Sequence, residues 1–200
     1  MSGKDKNILL LELKDGVVEI QMRPDLAPKH VARIKELVRQ GFYDGLKFHR
    51  VIDGFMAQTG CPDGTGIGGS GQLLRAEFSD EPHVRGTCSM ARTMDIHSAD
   101  SQFFICYDDC PWLDKQYTVW GQVIKGMEFV DKIKKGTGNN GTVKDPDSIV
   151  SMKLEINRLR FCLKKFFILW NMISEDIFCF SKKEQGTEIF HFPQSSTLYP

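Results

Sequence analysis

Residues 7–22 read NILLLELKDGVVEIQM, and no other stretch constrains the fold as much. Two apolar, β-branched runs flank Asp15-Gly16, a dipeptide that favours a two-residue hairpin turn. A chain that begins this way pairs its first strands antiparallel. Further short strand-like runs follow at 47–60, broken by Asp53-Gly54, and at 86–92, 101–106, 117–123 and 147–156. Only two segments of the first 154 residues carry helical spacing. In APKHVARIKELVRQGF, Val31, Ile34 and Leu37-Val38 recur on one face, and Gly41 stands where a helix-ending glycine belongs. In GMEFVDKIKKG the apolar stripe is Phe129, Val130 and Ile133. Many short strands, two helices and few βαβ alternations predict a mainly β chain, a closed antiparallel barrel rather than a parallel sheet.

The chain has 200 residues, room for one domain with an extension, and 41% of them are apolar. Lys+Arg and Asp+Glu both number 26, so no basic excess recruits nucleic acid. The start MSGKDKN has no apolar core of a signal peptide, and no apolar run approaches a membrane span. The six cysteines are irregularly spaced in a chain too long for a disulfide scaffold. Cys106-x3-Cys110 has no second ligand pair behind it, so no zinc is expected. These features predict a cytoplasmic protein with reduced thiols. Composition shifts near Glu155: residues 155–200 hold seven of the 14 Phe. From Ile156 the apolar positions Leu159, Leu163, Phe166, Trp170, Ile173 and Ile177 step at helical spacing. Three readings stay open for this tail: an amphipathic helix on a membrane or partner, a helix docked on the barrel, or an extension without its own fold.

Some motifs offer chemistry that their context does not support. Gly64, Gly66 and Gly69 satisfy G-x-G-x-x-G, but no helix start follows, so a surface loop is expected. His97, Ser98, Asp100 and Ser101 lie too close together on one loop to converge as a nucleophilic triad. The stretch KFHRVIDGFMAQTG is different. Alternation puts Arg50 on a face with Phe48 and Ile52, and His49 opposite. Arginine is rarely buried without partners. Gln58 and Gln102 are uncharged polar residues in apolar strands, and buried amides need hydrogen bonds. Taken singly, Phe55, Met56, Phe103, Phe104, Trp112 and Leu113 read as core, but Arg50, Gln58 and Gln102 are expected to share a network on one concave face lined by Phe and Met. A network that only fixes the barrel register would use the same residues.

FHRVIDGFMAQTG, GTGIGGSG, GTCSMAR, DSQFFIC, PWLDKQYTVWGQV and GMEFVDKI occur in the order and spacing of the cyclophilins, from about Asn7 to Leu154. The chain resembles the bacterial members of that family of peptidyl-prolyl cis-trans isomerases. The resemblance implies an eight-stranded antiparallel β-barrel capped by two helices over residues 1–154, with 155–200 as an extension. It implies isomerisation of X-Pro bonds in peptides and folding proteins, by a monomer without metal or cofactor. Arg50 matches the catalytic arginine, and Gln58 the glutamine beside it that is expected to share the catalytic role. Phe55, Met56, Gly64, Ala91, Arg92, Gln102, Phe104, Trp112, Leu113 and Tyr117 match substrate-site positions. Trp112 also implies binding of cyclosporin-like cyclic peptides. Arg92 stands where many members have Asn, Tyr117 where many have His, and Cys61 where many have an acid.

Overall fold

The computed structural model describes residues 7–138 and 140–155. Residues 156–200, the part of the tail for which three readings stay open, lie outside the described residues. β1 (Ile8–Leu13) and β2 (Gly16–Met22) form the expected hairpin. Its two turn residues are Lys14 and Asp15, one position earlier than the Asp-Gly signal suggests. Leu13 pairs with Gly16, which belongs to β2. A side chain there would begin 2.5 Å from the Phe129 ring, so close packing explains this glycine.

Helix α1 (Pro28–Arg39) follows, burying His30, Val31, Ile34, Leu37 and Val38. Its end satisfies the last carbonyls in the expected way. Gly41 takes a φ of +69°, and its N–H donates to Val38 O while Phe42 N–H donates to Leu37 O. Its start is unusual, because Ala27 provides no side-chain cap. Glu77, 48 residues on, accepts the Lys29 and His30 backbone N–H groups, and His30 Nδ1 lies 2.7 Å from the same carboxylate. A distant carboxylate thus caps the helix and matches its positive end. Burial opposes ionisation of Glu77, but these bonds outweigh it and leave its pKa below the usual value. Glu77→Ala is expected to lower stability by about 0.5–2 kcal/mol, the usual effect of a lost cap, read from urea midpoints. An unchanged midpoint would show that the cap contributes nothing.

The remaining strands are β3 (Arg50–Ile52), β4 (Met56–Thr59), β5 (Thr87–Met90), β6 (Phe103–Cys106), β7 (Val119–Lys125) and β8 (Ser151–Leu154). A 3-10 turn, Pro111–Leu113, follows β6, and α2 (Met127–Asp131) follows β7. The eight strands make one antiparallel sheet in the order β3-β4-β6-β5-β7-β2-β1-β8. The expectation of a closed barrel needs correction. The sheet curls into an open half-barrel whose end strands, β3 and β8, share no ladder. Irregular backbone runs between them: Val51 N–H donates to Gly141 O, Phe48 N–H to Asp147 O and Ile149 N–H to Leu46 O. Gly138, Gly141 and Asp145 take positive φ values of +74°, +70° and +53°, which no regular strand accommodates. Helices α1 and α2 lay apolar residues on the larger of two buried clusters among the described residues, α1 beside β8 and α2 beside β2. Among the described residues no helix is long and apolar enough to cross a membrane.

Candidate active site

Three neighbouring strands are apolar on both faces, and that doubling creates the site. Val51, Ala57, Phe103 and Ile105 join the main core. The alternate residues Ile52, Met56, Phe104 and Cys106 point the other way, into a second cluster with Cys110, Leu113, Phe55, Ala91 and Tyr117. The register places Arg50 opposite Gln58, Gln58 opposite Phe104, and Phe104 opposite Ser89. One rung across the sheet therefore carries a cation, an amide and an aromatic ring. Arg50, Phe55, Met56, Gln58, Ala91, Arg92, Phe104, Leu113 and Tyr117 line a groove over this face.

Phe48 does not share Arg50's face. The ladder starts only at Arg50, and Phe48 is fully buried in the main core with Val51. Ile52 does flank Arg50 as alternation requires. His49 is buried as expected, and burial lowers its pKa.

The expected network is present and its orientation is determined. Gln102 Nε2 donates to Gly66 O (2.9 Å) and Gly68 O (2.8 Å), so its Oε1 must face Gln58. Gln58 Nε2 donates to that oxygen at 2.9 Å, which turns Gln58 Oε1 towards Arg50 Nη1, 3.2 Å away. Arg50 Nε donates to Asn140 O at 2.9 Å. Among the described residues, Nη2 has no protein partner, and Arg50 has no carboxylate. The glycine-rich loop thus fixes the arginine through two amides, and Nη2 is left without a partner among the described residues.

Gln102 stands behind the groove wall, and Trp112 stands at the rim, 58% exposed, its ring 5.7 Å from Phe55. Gly64 does not line the groove; it sits in the 61–66 turn beside Lys47. Cys61, buried in the same turn, donates to Asp63 Oδ1 (2.7 Å) and accepts the Gly66 N–H (3.1 Å). Residues 60–86 contain no helix, so the glycine motif lacks a dinucleotide site's helix. Asp100 accepts the Ser70 and Gly71 N–H groups, and His97 Nδ1 accepts that of Ala76. Both brace loops. Arg92 Nε and Nη2 donate to Gln116 O, and Nη1 to Thr93 O. Its guanidinium lies 4.6 Å from the Tyr117 ring centre, and Tyr117 packs edge-on against Phe104.

One supporting residue gives no sequence signal. His83 N–H donates to Asp114 Oδ1 (2.8 Å), its Nδ1 lies 2.9 Å from that oxygen, and its carbonyl accepts the Cys110 N–H (2.7 Å). It therefore ties down both flanks of the turn that carries Trp112 and Leu113. Its Nε2 lies 3.0 Å from Ser89 Oγ, which donates to Thr118 O. Serine, histidine and carboxylate stand in a row, but Ser89 is fully buried and is no nucleophile.

A model of the cyclophilin type peptidyl-prolyl cis-trans isomerase/CLD family matches residues 8–154. This chain belongs to the cyclophilins. Among curated relatives, a probable peptidyl-prolyl cis-trans isomerase of Brucella suis is 55% identical over 163 residues, covering 75% of this chain and 83% of the relative. Peptidyl-prolyl cis-trans isomerase B of Bacillus subtilis is 43% identical over 127 residues, covering 62% and 88%. A Cryptosporidium parvum cyclophilin, crystallised in the presence of the dipeptide Ala-Pro, superposes with a TM-score of 0.69 at 26% identity, covering 75% of this chain and 99% of that one. The cyclophilin AquaCyp293 of Hirschia baltica gives 0.67 at 29% identity, covering 77% and 76%. The chain is a cyclophilin-type isomerase, with the family's mainly β fold of eight antiparallel strands.

Burial lowers the pKa of His30, His49 and His83; for His30 and His83 a carboxylate partner opposes the shift only in part. The native cyclophilin therefore keeps these rings neutral at a pH where the unfolded chain, near 6.5, takes up protons. More protons bound by the unfolded state means stability that falls as pH drops below about 6.5. Urea midpoints between pH 7.5 and 5.5 should decline; a flat or rising profile contradicts neutral buried histidines.

Proposed function

We propose that Arg50 accelerates X-Pro rotation by binding the twisted amide more strongly than either planar form, over a slot that holds the proline ring. Rotation faces a barrier of about 18–20 kcal/mol from amide resonance, and no bond to carbon or hydrogen needs to break. At the twisted geometry resonance is lost and the prolyl nitrogen regains its lone pair. A fixed donor beside that nitrogen and the prolyl carbonyl lowers the barrier, because the attraction is greatest when the lone pair is localised. The Arg50 guanidinium suits the role: two of its nitrogens are held by Asn140 O and Gln58, and Nη2 has no partner among the described residues. That arrangement is the observation carrying the proposal. Gln58 is a positioning residue within it, and its own orientation comes from Gln102.

Phe55, Met56, Phe104 and Leu113 grip the pyrrolidine ring, while Ala91 and Arg92 meet the backbone next to it and Trp112 borders the rim. The ligands are proline-containing peptides and folding chains, the class to which the Ala-Pro dipeptide of the Cryptosporidium cyclophilin belongs. Titrating 15N-labelled protein with a blocked Ala-Pro peptide tests the slot. Shifts should centre on Ala91, Arg92, Phe104 and Leu113. Shifts confined to other surfaces would refute it.

A further inference from the structure

Two of the nine groove-lining side chains are arginines, and none of the nine is acidic. Arg50 sits on the inner rung, next to Gln58. Arg92 sits beyond the aromatic wall: its guanidinium stacks on Tyr117, whose ring lies 5.7 Å from that of Phe104 at 80°. Among the described residues Arg92 donates only to neutral backbone carbonyls, Gln116 O at 3.2 and 3.1 Å and Thr93 O at 2.8 Å. Among the described residues it makes no ion pair, whereas Arg23, Arg33 and Arg85 each face a carboxylate. Carbonyls and a ring face orient a guanidinium without neutralising it. Among the described residues Arg92 is thus an oriented guanidinium with no carboxylate partner, one ring from the apolar slot.

We infer that Arg92 selects substrates with a carboxylate side chain directly next to the proline, Asp or Glu, and disfavours Lys there. This rests on the isomerase reading above and adds the substrate class. The ring in the slot leaves the flanking side chain directed to one lip or the other. At the Tyr117 lip a carboxylate meets a guanidinium whose direction is already set, so little side-chain entropy is lost in pairing. The charge is partly exposed, so the preference is modest, about two- to fivefold in kcat/KM, and shrinks as salt screens it.

The test uses blocked pentapeptides that differ only beside proline, with Glu, Gln or Lys before it in one set and after it in another. Exchange rates are read by NMR for the full chain and for Arg92→Gln and Arg92→Lys. The inference predicts Glu above Gln above Lys at one flank, collapse of that ratio in Arg92→Gln, and its retention in Arg92→Lys. Equal rates at both flanks would overturn it, as would a ratio unchanged in Arg92→Gln. Should Arg92→Gln fail to fold, a wild-type Glu/Lys ratio independent of salt would overturn it instead. Failure of the isomerase reading looks different, since wild type would then accelerate no peptide, Ala-Pro included.

Discussion

Arg50→Ala is expected to lower kcat/KM on an Ala-Pro peptide by about 10²–10³-fold, the usual consequence of losing one preorganised transition-state donor. The fold should persist. Arg50 is only partly buried, and its partners are a carbonyl at 2.9 Å and a neutral amide at 3.2 Å. Removing it strands no buried charge, so the circular dichroism spectrum and the urea midpoint should stay close to wild type. The fall should lie mainly in kcat, because the donor acts on the twisted amide more than on the planar ground states. A variant that unfolds would make Arg50 a structural residue. A folded variant of undiminished activity would remove it from the mechanism.

Phe104→Ala is expected to act on binding instead. Phe104 is 5% exposed, pairs with Gln58 and Ser89 along the rung, and packs edge-on against Tyr117. It is one of the residues that line the groove. Losing the contact of one large apolar side chain weakens the interaction by roughly 1.5–3 kcal/mol, a ten- to hundredfold rise in KM. The variant also leaves a gap among Met56, Cys106 and Leu113, so stability falls as well and near-ultraviolet circular dichroism must first confirm a folded chain. Unchanged KM in the folded variant would remove Phe104 from the slot.

The contrast between these two side chains shows what local sequence reveals. The period-2 pattern within a paired strand is local, so Ile52 beside Arg50 followed from it, whereas the Gln58–Gln102 link, across 44 residues, was legible only because amides set in apolar strands need hydrogen-bond partners. Phe48 broke the pattern because alternation holds only where a ladder exists, and no sequence signal marks its first rung. The end of α1 was legible because Gly41 acts within its own turn. The start was not, because its cap, Glu77, lies 48 residues away from Lys29. His83 was silent for the same reason: its carboxylate partner is 31 residues distant, in a loop without periodicity. The open edge between β3 and β8 depends on positive φ values at 138, 141 and 145, in a stretch whose turn residues predict irregularity but not where a sheet stops. Roles came least from local pattern. Physics singled out the Arg50 network and left its purpose open; the ordered motifs pointed to proline isomerisation.

Under the proposed function the groove over β3, β4 and β6 catalyses rotation about an X-Pro bond. Two-dimensional NMR exchange spectroscopy on a short blocked Ala-Pro peptide tests it most directly, with the full-length chain present at a small fraction of the peptide concentration. Uncatalysed exchange takes tens to hundreds of seconds and gives no cross-peaks on the experiment's time scale. Cis-trans cross-peaks are expected that grow with protein concentration and disappear in Arg50→Ala. A folded wild-type chain that leaves the exchange at its uncatalysed rate would contradict it.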